Sequence, residues 1–290
     1  SLKEYYELEF SAKYQEENGG KKIGAIQLYE KIAPIAKQWQ NHYIAQNQNP
    51  LGSKHELLKA GDGSTYSQVH ESYHPYFKRF LERFGYYDIF LADIVTGNIV
   101  YSVFKELDYA TSLLTGPYAN SNIAQAFRSA SRLEQIGAYA IVDYQSYLPS
   151  YDAPASFIAA PIFNSENRKI GVLIFQMPID ALNQIMGERS GLGKTGETYL
   201  VGPDSLMRSD SYLDPVNHSV VSSFRNPTTG KVDTVATQLA MSGKTGQKII
   251  TDYNGNSVLS SFTPIDVLGM KWLLLSEIDK AEAFAQVNKL

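Results

Sequence analysis

The sequence predicts an α+β protein in which a helical N-terminal stretch precedes two tandem modules, each a mostly antiparallel sheet flanked by helices. Three observations predict it. Apolar residues in the first 46 positions recur at three- and four-residue steps, β-rich runs take over from about residue 86, and the order of those runs repeats about a hundred residues later. The 290 residues suffice for two modules with cores of their own. A composition of 43% hydrophobic and 19% charged residues, with a formal net charge of -4, is that of a globular chain.

Taken in order, Leu2, Tyr5, Tyr6, Glu9 and Phe10 belong to a first helical stretch, broken at Asn18-Gly19-Gly20, where two glycines make helix costly. Ile26, Tyr29, Ile32, Ala36, Trp39 and Tyr43 share one face of a second helix. Pro34 is expected to kink it, and Asn47-Gln48-Asn49-Pro50-Leu51-Gly52 ends it. A further helix covers residues 66–84. Runs 86–92 and 98–104 flank Val95-Thr96-Gly97-Asn98 and read as a hairpin. Residues 123–136 read as helix and 138–144, 156–163 and 169–177 as strands. Pro178-Ile179-Asp180 then opens a helix that reaches Met186.

The repeat is carried by matched strings. Phe90-Leu91-Ala92-Asp93 followed by Val100-Tyr101-Ser102 is echoed by Tyr199-Leu200-Val201-Gly202 followed by Met207-Arg208-Ser209. Ala160-Pro161-Ile162, Gly171-Val172-Leu173-Ile174-Phe175 and Ile179-Asp180-Ala181 are echoed by Thr263-Pro264-Ile265, Trp272-Leu273-Leu274-Leu275 and Ile278-Asp279-Lys280. The offsets, 109 from Phe90 to Tyr199, 103 from Pro161 to Pro264 and 99 from Asp180 to Asp279, drift with loop length and keep their order.

Composition excludes several classes of function. A mildly acidic chain without a Lys/Arg block lacks the clustered cations that bind phosphate backbones. The absence of cysteine excludes disulfides, thiolate catalysis and Cys-ligated zinc, and it fits an oxidising compartment. No run approaches the ~20 apolar residues that cross a bilayer, and Ser1-Leu2-Lys3-Glu4 lacks a signal peptide's apolar core, so a soluble chain is expected.

Four motifs point to chemistry. His70-Glu71-Ser72-Tyr73-His74 matches H-E-x-x-H, in which two His one helical turn apart hold zinc and Glu activates water. Pro75, however, biases His74 away from the helix that motif needs, and helix-end histidines that cap or pack are the plainer reading. Gly191-Leu192-Gly193-Lys194-Thr195-Gly196 has the look of a phosphate loop, but Glu188 stands where that loop needs glycine and a strand, 197–201, follows. Gly243-Lys244-Thr245-Gly246 repeats the tetrapeptide as a tight turn. Asp252-Tyr253-Asn254-Gly255-Asn256 departs from a calcium loop at Ser257 and Thr263. It reads instead as the turn of a hairpin between 248–251 and 258–262. Asn217-His218-Ser219 is a glycosylation sequon in form only.

Tyrosine, at 20 residues, gathers in the first module at Tyr101, Tyr118, Tyr139, Tyr144, Tyr147 and Tyr151, with Asp143 and Asp152 among them. Rings that desolvate a ligand beside a fixed carboxylate suit a small-molecule pocket, although any one such Tyr is more simply a strand aromatic in a core. No nucleophile is paired with an evident base, so no catalytic residue and no cofactor are expected.

Residues 193–201, Met207-Arg208-Ser209-Asp210-Ser211, Trp272 and Glu277-Ile278-Asp279-Lys280-Ala281-Glu282 resemble the membrane-proximal module of double Cache sensor domains. Residues 86–91, 97–102 and Ala159-Ala160-Pro161-Ile162 resemble the distal module of the same family. The resemblance covers about residues 1–285. It implies two PAS-like modules stacked on a long N-terminal helix and displayed outside a bacterial inner membrane, in the periplasm, between two transmembrane helices. It further implies a chemotaxis receptor, histidine kinase or cyclase output, and a small-molecule ligand such as an amino acid, amine or carboxylate in the distal module. The Arg-x-x-x-Trp signature of amino-acid-binding members has no match at 105–130.

The expected organisation is a helical stalk and dimerisation segment over 1–64, a distal ligand-binding module over 65–187 and a proximal relay over 188–290. Tyr101, Phe104, Tyr139, Tyr144, Tyr151 and Phe157 are the expected pocket wall, with Asp143 and Asp152 as polar anchors. Ligand closure would shift the terminal helices and bias the output. The rival readings are a zinc peptidase built on His70, Glu71 and His74 and a structural relay without a ligand.

Overall fold

The computed structural model describes residues 1–285, and the chain divides into two units, Ser1–Met177 and Pro178–Leu290. Unit 1 begins with a continuous helical run from Leu2 to Glu17, capped by Ser1 and ended at Asn18, Gly19 and Gly20, both glycines having positive φ. Two short helices follow, α1 (Ala25–Lys31) and α2 (Pro34–Gln40), where one kinked helix is expected. Ile32 and Ala33 between them are extended, because the Pro34 ring disfavours helical backbone at the residue before it while suiting the first position of a new helix. Helix α3 (Thr65–Phe84) is capped by the Ser64 hydroxyl and stopped by Gly85 in the left-handed region.

Strands β1 (Asp88–Asp93) and β2 (Ile99–Ser102) form the expected hairpin. Helix α4 (Asn122–Ser131) then leads to β3 (Ala140–Tyr147), β4 (Ala153–Phe163) and β5 (Lys169–Gln176). Helix α4 stops short of the expected residue 136 because its core-facing residues end at Ala130; beyond it Ile136 is 78% exposed and has no sheet to cover. The sheet is antiparallel in the order β2-β1-β5-β4-β3.

Strand parity makes unit 1 three layers deep. On one face Phe90, Ala92, Phe157, Ala159, Val172 and Ile174 pack against Ile123, Phe127 and Ala130 of α4. On the other face Ile89, Leu91, Leu173 and Phe175 pack with Phe77 and Leu81 of α3. A third apolar cluster joins Tyr6, Phe10 and Tyr14 of the N-terminal run to Ala36, Tyr43, Leu107 and Tyr109.

Unit 2 comprises α5 (Ile179–Met186), β6 (Glu197–Val201), α6 (Val235–Met241), β7 (Gly246–Thr251), β8 (Ser257–Val267), β9 (Met270–Asp279) and the short α7 (Lys280–Ala283), besides two short helical pieces, Val220–Arg225 and Pro227–Gly230, ahead of α6. Its antiparallel sheet runs β6-β9-β8-β7. The expected hairpin turn is closed by the Asp252 carboxylate, which accepts from the Asn254 and Asn256 amides. The repeat read from sequence is a repeat of topology. Strand β6 lies beside β9 as β1 lies beside β5, Pro264 faces Leu273 as Pro161 faces Val172, and the counterpart of β2 is reduced to the single bridge Val201–Met207.

Phe157 lies wholly buried between the sheet and α4, in edge contact with Phe90 and Tyr147. Phe157→Ala is therefore expected to destabilise unit 1 by about 3–5 kcal/mol. Urea unfolding would show this as a lower midpoint at unchanged slope.

Candidate ligand-binding site

The connection that leaves β2 carries an unusual charge load. Lys105, Glu106 and Asp108 follow one another within four residues; Lys105 and Asp108 are buried, as is Asp88 at the start of β1, and Glu106 is half-buried. Isolated charges in such a setting cost several kcal/mol each, so each has to shift towards its neutral form or find partners. Asp88 Oδ1 accepts from the amides of Ile89, Val103 and Phe104 at 2.7, 3.0 and 3.2 Å. Lys105 takes a left-handed backbone, at φ 60, and donates to the Ser102 carbonyl. Its Nζ lies 4.4, 5.4 and 5.8 Å from the ring centres of Tyr101, Tyr109 and Tyr43, a cage of π-faces that stabilises a cation. Burial lowers the Lys105 ammonium pKa and raises that of the Asp88 carboxyl.

Glu106 Oε1 accepts from the Tyr87 hydroxyl at 3.3 Å and Oε2 from the Ser150 hydroxyl at 3.0 Å. Burial, with Asp108 and Asp88 nearby, still pushes its pKa well above the carboxylate range. Asp108 accepts from the Tyr147 hydroxyl, and burial raises it to about 6. The loop is pinned from the helical side by Gln40, whose Nε2 donates to the carbonyls of Leu107 and Tyr109 at 2.7 Å each while its Oε1 accepts from Tyr6 at 2.7 Å.

The N-terminal run closes the site. Phe10 stacks on Tyr151 with ring centres 5.3 Å apart, Asn18 donates to the Tyr151 carbonyl at 2.9 Å, and the Tyr14 hydroxyl donates to Asp152. Tyr151 and Asp152 both take left-handed backbone, at φ 57 and 59, which turns the chain sharply into β4. Between these elements lies a cavity of about 150 Å³. Tyr5 and Phe10 line it from the run, Leu51, Gly52 and Lys54 from the segment after α2, and Phe104 to Leu107 with Tyr87, Pro149 and Tyr151 from the sheet side.

Of the residues expected as a pocket, Phe104 and Tyr151 line this cavity and Asp152 adjoins it. Tyr101 is buried behind it, its hydroxyl 2.7 Å from His74 Nδ1. Tyr139 is 49% exposed, Tyr144 is buried in β3, and Phe157 is in the core. Asp143 accepts from its neighbour's amide, Tyr144 N, at 2.7 Å and lies outside the cavity wall. The sequence reading passed over Lys54, Tyr87, Lys105 and Glu106. The available signal was Phe104-Lys105-Glu106-Leu107-Asp108, a charged string directly behind a buried strand, which looks like an ordinary solvated loop until the strand's position is known.

His70 and His74 stand in the middle of α3, whose helix continues through Pro75, contrary to the expectation that Pro75 would draw His74 out of it and leave the histidines at a helix end. The carbonyl that loses its partner to the proline ring belongs to Glu71, an exposed residue that solvent can satisfy. Both rings point inward and stack, 4.4 Å apart. His74 Nε2 donates to the His55 carbonyl at 2.7 Å while Nδ1 accepts from Tyr101. His70 Nδ1 donates to the Leu58 carbonyl at 2.6 Å. These partners define neutral imidazoles, and burial lowers the two pKa values to about 4 and about 3 respectively. Glu71 faces outward and pairs with Lys59 at 2.8 Å. With both His74 nitrogens engaged and Glu71 turned away, the trio does not have the arrangement of a zinc hydrolase.

The Cache-domain family model for double Cache domains matches residues 29–287, and the chain belongs to that family. Among solved structures, the periplasmic sensory domain of the Campylobacter jejuni chemoreceptor Tlp1 is similar, with 16% identity, TM-score 0.48 and coverage of 89% of this chain and 95% of that one. The ligand-binding domain of the Pseudomonas aeruginosa amino-acid chemoreceptor PctB, in complex with L-Arg, gives 17%, 0.47, and 91% of each chain. The extracellular domain of the histidine kinase vpHK1S-Z8 gives 12%, 0.48, and 98% and 92%. No curated protein matches. Among the described residues no helix is long and apolar enough to cross a membrane.

The raised carboxyls carry a pH signature. Folded unit 1 retains protons on Glu106 and Asp108 that the unfolded chain releases near pH 4 to 5, so the stability they contribute is fullest below that range and falls as pH rises through the folded pKa values. His70 and His74, buried neutral, contribute with the opposite sign below about pH 6.5 in parent and variant alike, so the Glu106 share is read as a difference: Glu106→Gln, which stays neutral, is expected to shift the slope of melting temperature against pH upward relative to the parent. Equal slopes for the two proteins would refute the assignment.

Proposed function

We propose that the chain is the extracytoplasmic sensor region of a transmembrane receptor and that unit 1 is its membrane-distal, ligand-binding module. Unit 2 is the proximal relay towards a chemotaxis or kinase output. One observation carries the reading: a half-buried carboxyl, Glu106, and a buried amine, Lys105, are neighbours in the wall of a cavity that the N-terminal run closes with Tyr5 and Phe10. Side by side, a carboxylate and an ammonium address the two ends of a small zwitterion, while the Phe10, Phe104 and Tyr151 rings desolvate its body. Lys54, also buried, adds a second cation to the wall.

The cavity adjoins the run, so a ligand that fills it bears on Tyr5 and Phe10 directly, and a difference in affinity between two positions of the run is enough to bias the output. The run also offers a surface for pairing with a second copy, as in a receptor dimer. Polar anchoring is assigned to Glu106 and Lys105 in place of Asp143.

The test is a thermal-shift screen of the purified chain against amino acids, amines, carboxylates, sugars and nucleobases. A ligand at a hundred times its dissociation constant adds about 2.7 kcal/mol, a shift of several degrees. Glu106→Gln and Lys105→Met are expected to abolish the shift and Asp143→Ala to leave it. An amine-bearing ligand is expected to bind more tightly as pH rises, because Glu106 must lose its proton to pair with the ammonium. A hit that survives both cavity substitutions would overturn the site, and silence across the panel would favour a relay without a ligand.

A further inference from the structure

The Gly-rich string that resembles a phosphate loop does bind an anion, and the anion is the protein's own. Glu282, in α7, places Oε1 2.8 Å from the Lys194 amide and Oε2 2.8 Å from the Thr195 amide and 2.6 Å from the Thr195 hydroxyl. The same hydroxyl oxygen accepts from the Asp279 amide at 3.1 Å, where β9 passes into α7. Gly193 is required here twice over: its φ is +69, and a Cβ on it would stand 2.4 Å from Glu282 Oε1. These bonds hold the Glu282 carboxyl at about 2, so it stays ionised at any physiological pH.

The other side of the loop is held by the opposite charge. Arg189 Nη2 donates to the carbonyls of Gly193, Lys194 and Gly196 at 3.2, 3.0 and 2.8 Å, and its Nε reaches Gly196 at 3.2 Å. The guanidinium lies 3.6 Å above the Tyr212 ring. The peptide units of 193–196 are thus aligned between a cation on their carbonyl side and an anion on their amide side, an arrangement in which each charge strengthens the other's hydrogen bonds.

Arg189 lies three residues beyond the end of α5, the helix by which the chain enters unit 2 from Met177. Glu282 belongs to α7, the helix by which the chain leaves the last strand of that unit. We propose that the loop between Arg189 and Gly196 is the coupler of unit 2: it joins entry helix to exit helix through one Arg–backbone–Glu bridge, so that a displacement of α5 is handed to α7 without passing through the sheet. The bridge is polar and open to solvent, which lets it be remade in a second position at small cost. This inference is independent of any ligand in unit 1.

The chain lacks cysteine, so Ile185→Cys on α5 and Ala281→Cys on α7 provide two clean spin-label sites for a pulsed-EPR distance measurement. A single narrow distribution is expected in the otherwise unaltered chain and a broadened one with Glu282→Ala. Amide exchange at Lys194 and Thr195 is expected to accelerate about tenfold or more in that variant while the β9 amides stay protected. Sodium formate, a free carboxylate, is expected to restore the slow exchange where equal sodium chloride does not. Lys194→Ala, which keeps the backbone amide, is expected to change nothing. Should Glu282→Ala fail to fold, Glu282→Gln carries the same measurements with the side-chain volume retained. Distance distributions and exchange rates that match the parent in the folded variant would overturn the proposal, as would broadening by Lys194→Ala alone.

Discussion

The structure of unit 1 depends on the burial of Asp88, Lys105 and Asp108, with Glu106 half-buried beside them, in one small region. Three acids and one base in a low-dielectric setting repel and desolvate one another, and a chain that placed them there without partners would not fold. Their partners come from several elements of the unit: amides of β1 and of the segment after β2, Tyr87 ahead of β1, Tyr147 at the end of β3, Ser150 in the turn before β4, and rings from β2, the segment after β2 and the segment after α2. Each of these elements is held in register partly because a buried charge needs its donor.

Gln40 shows how the helical segment enters this arrangement. A carboxamide has two donors and an acceptor with two lone pairs, and Gln40 uses both kinds at once, two bonds to the loop and one from the N-terminal run. An apolar residue at that position would leave two loop carbonyls without partners. The N-terminal run is therefore part of the site's wall and not merely a stalk attached to it, a placement confirmed by Phe10 on Tyr151 and Tyr14 on Asp152.

The elements that depend on period and turn chemistry were legible in the sequence. The α3 boundaries, the β1–β2 hairpin, the β7–β8 turn at Asn254-Gly255 and the order of the repeat follow from apolar spacing and glycine placement. The break at Ile32-Ala33 and the passage of α3 through Pro75 were misread for one reason. Proline's local bias is fixed, but whether a helix absorbs it or restarts is decided by packing on either side. The site was less legible still. Aromatic residues near carboxylates pointed to unit 1, yet Tyr144 and Phe157 serve the interior while Lys105, a residue type that composition places at the surface, is buried and Glu106 half-buried beside it. Strand parity says which residues share a face; it does not say that a loop beyond the strand folds back beneath it.

The two sheets differ in how their paired polar residues are partnered. Asp88 faces Gln176 across β1 and β5, and at the matching place in the repeated topology Glu197 faces Glu277 across β6 and β9. In unit 2 both carboxyls are furnished with donors: Tyr199 and Ser260 to Glu277, Tyr253, Ser211 and two backbone amides to Glu197. In unit 1 Asp88 Oδ2, Gln176 Oε1 and the nearby Asp108 Oδ1 are buried acceptors without a protein donor. Unmet acceptors of this kind are destabilising by about 1–3 kcal/mol each and are relieved by whatever brings N–H or O–H groups to them. The same fold thus meets a buried carboxyl pair with its own hydroxyls in unit 2, whereas in unit 1 the Asp88 and Asp108 carboxyls answer burial with raised pKa values, the protonated form supplying a donor of its own.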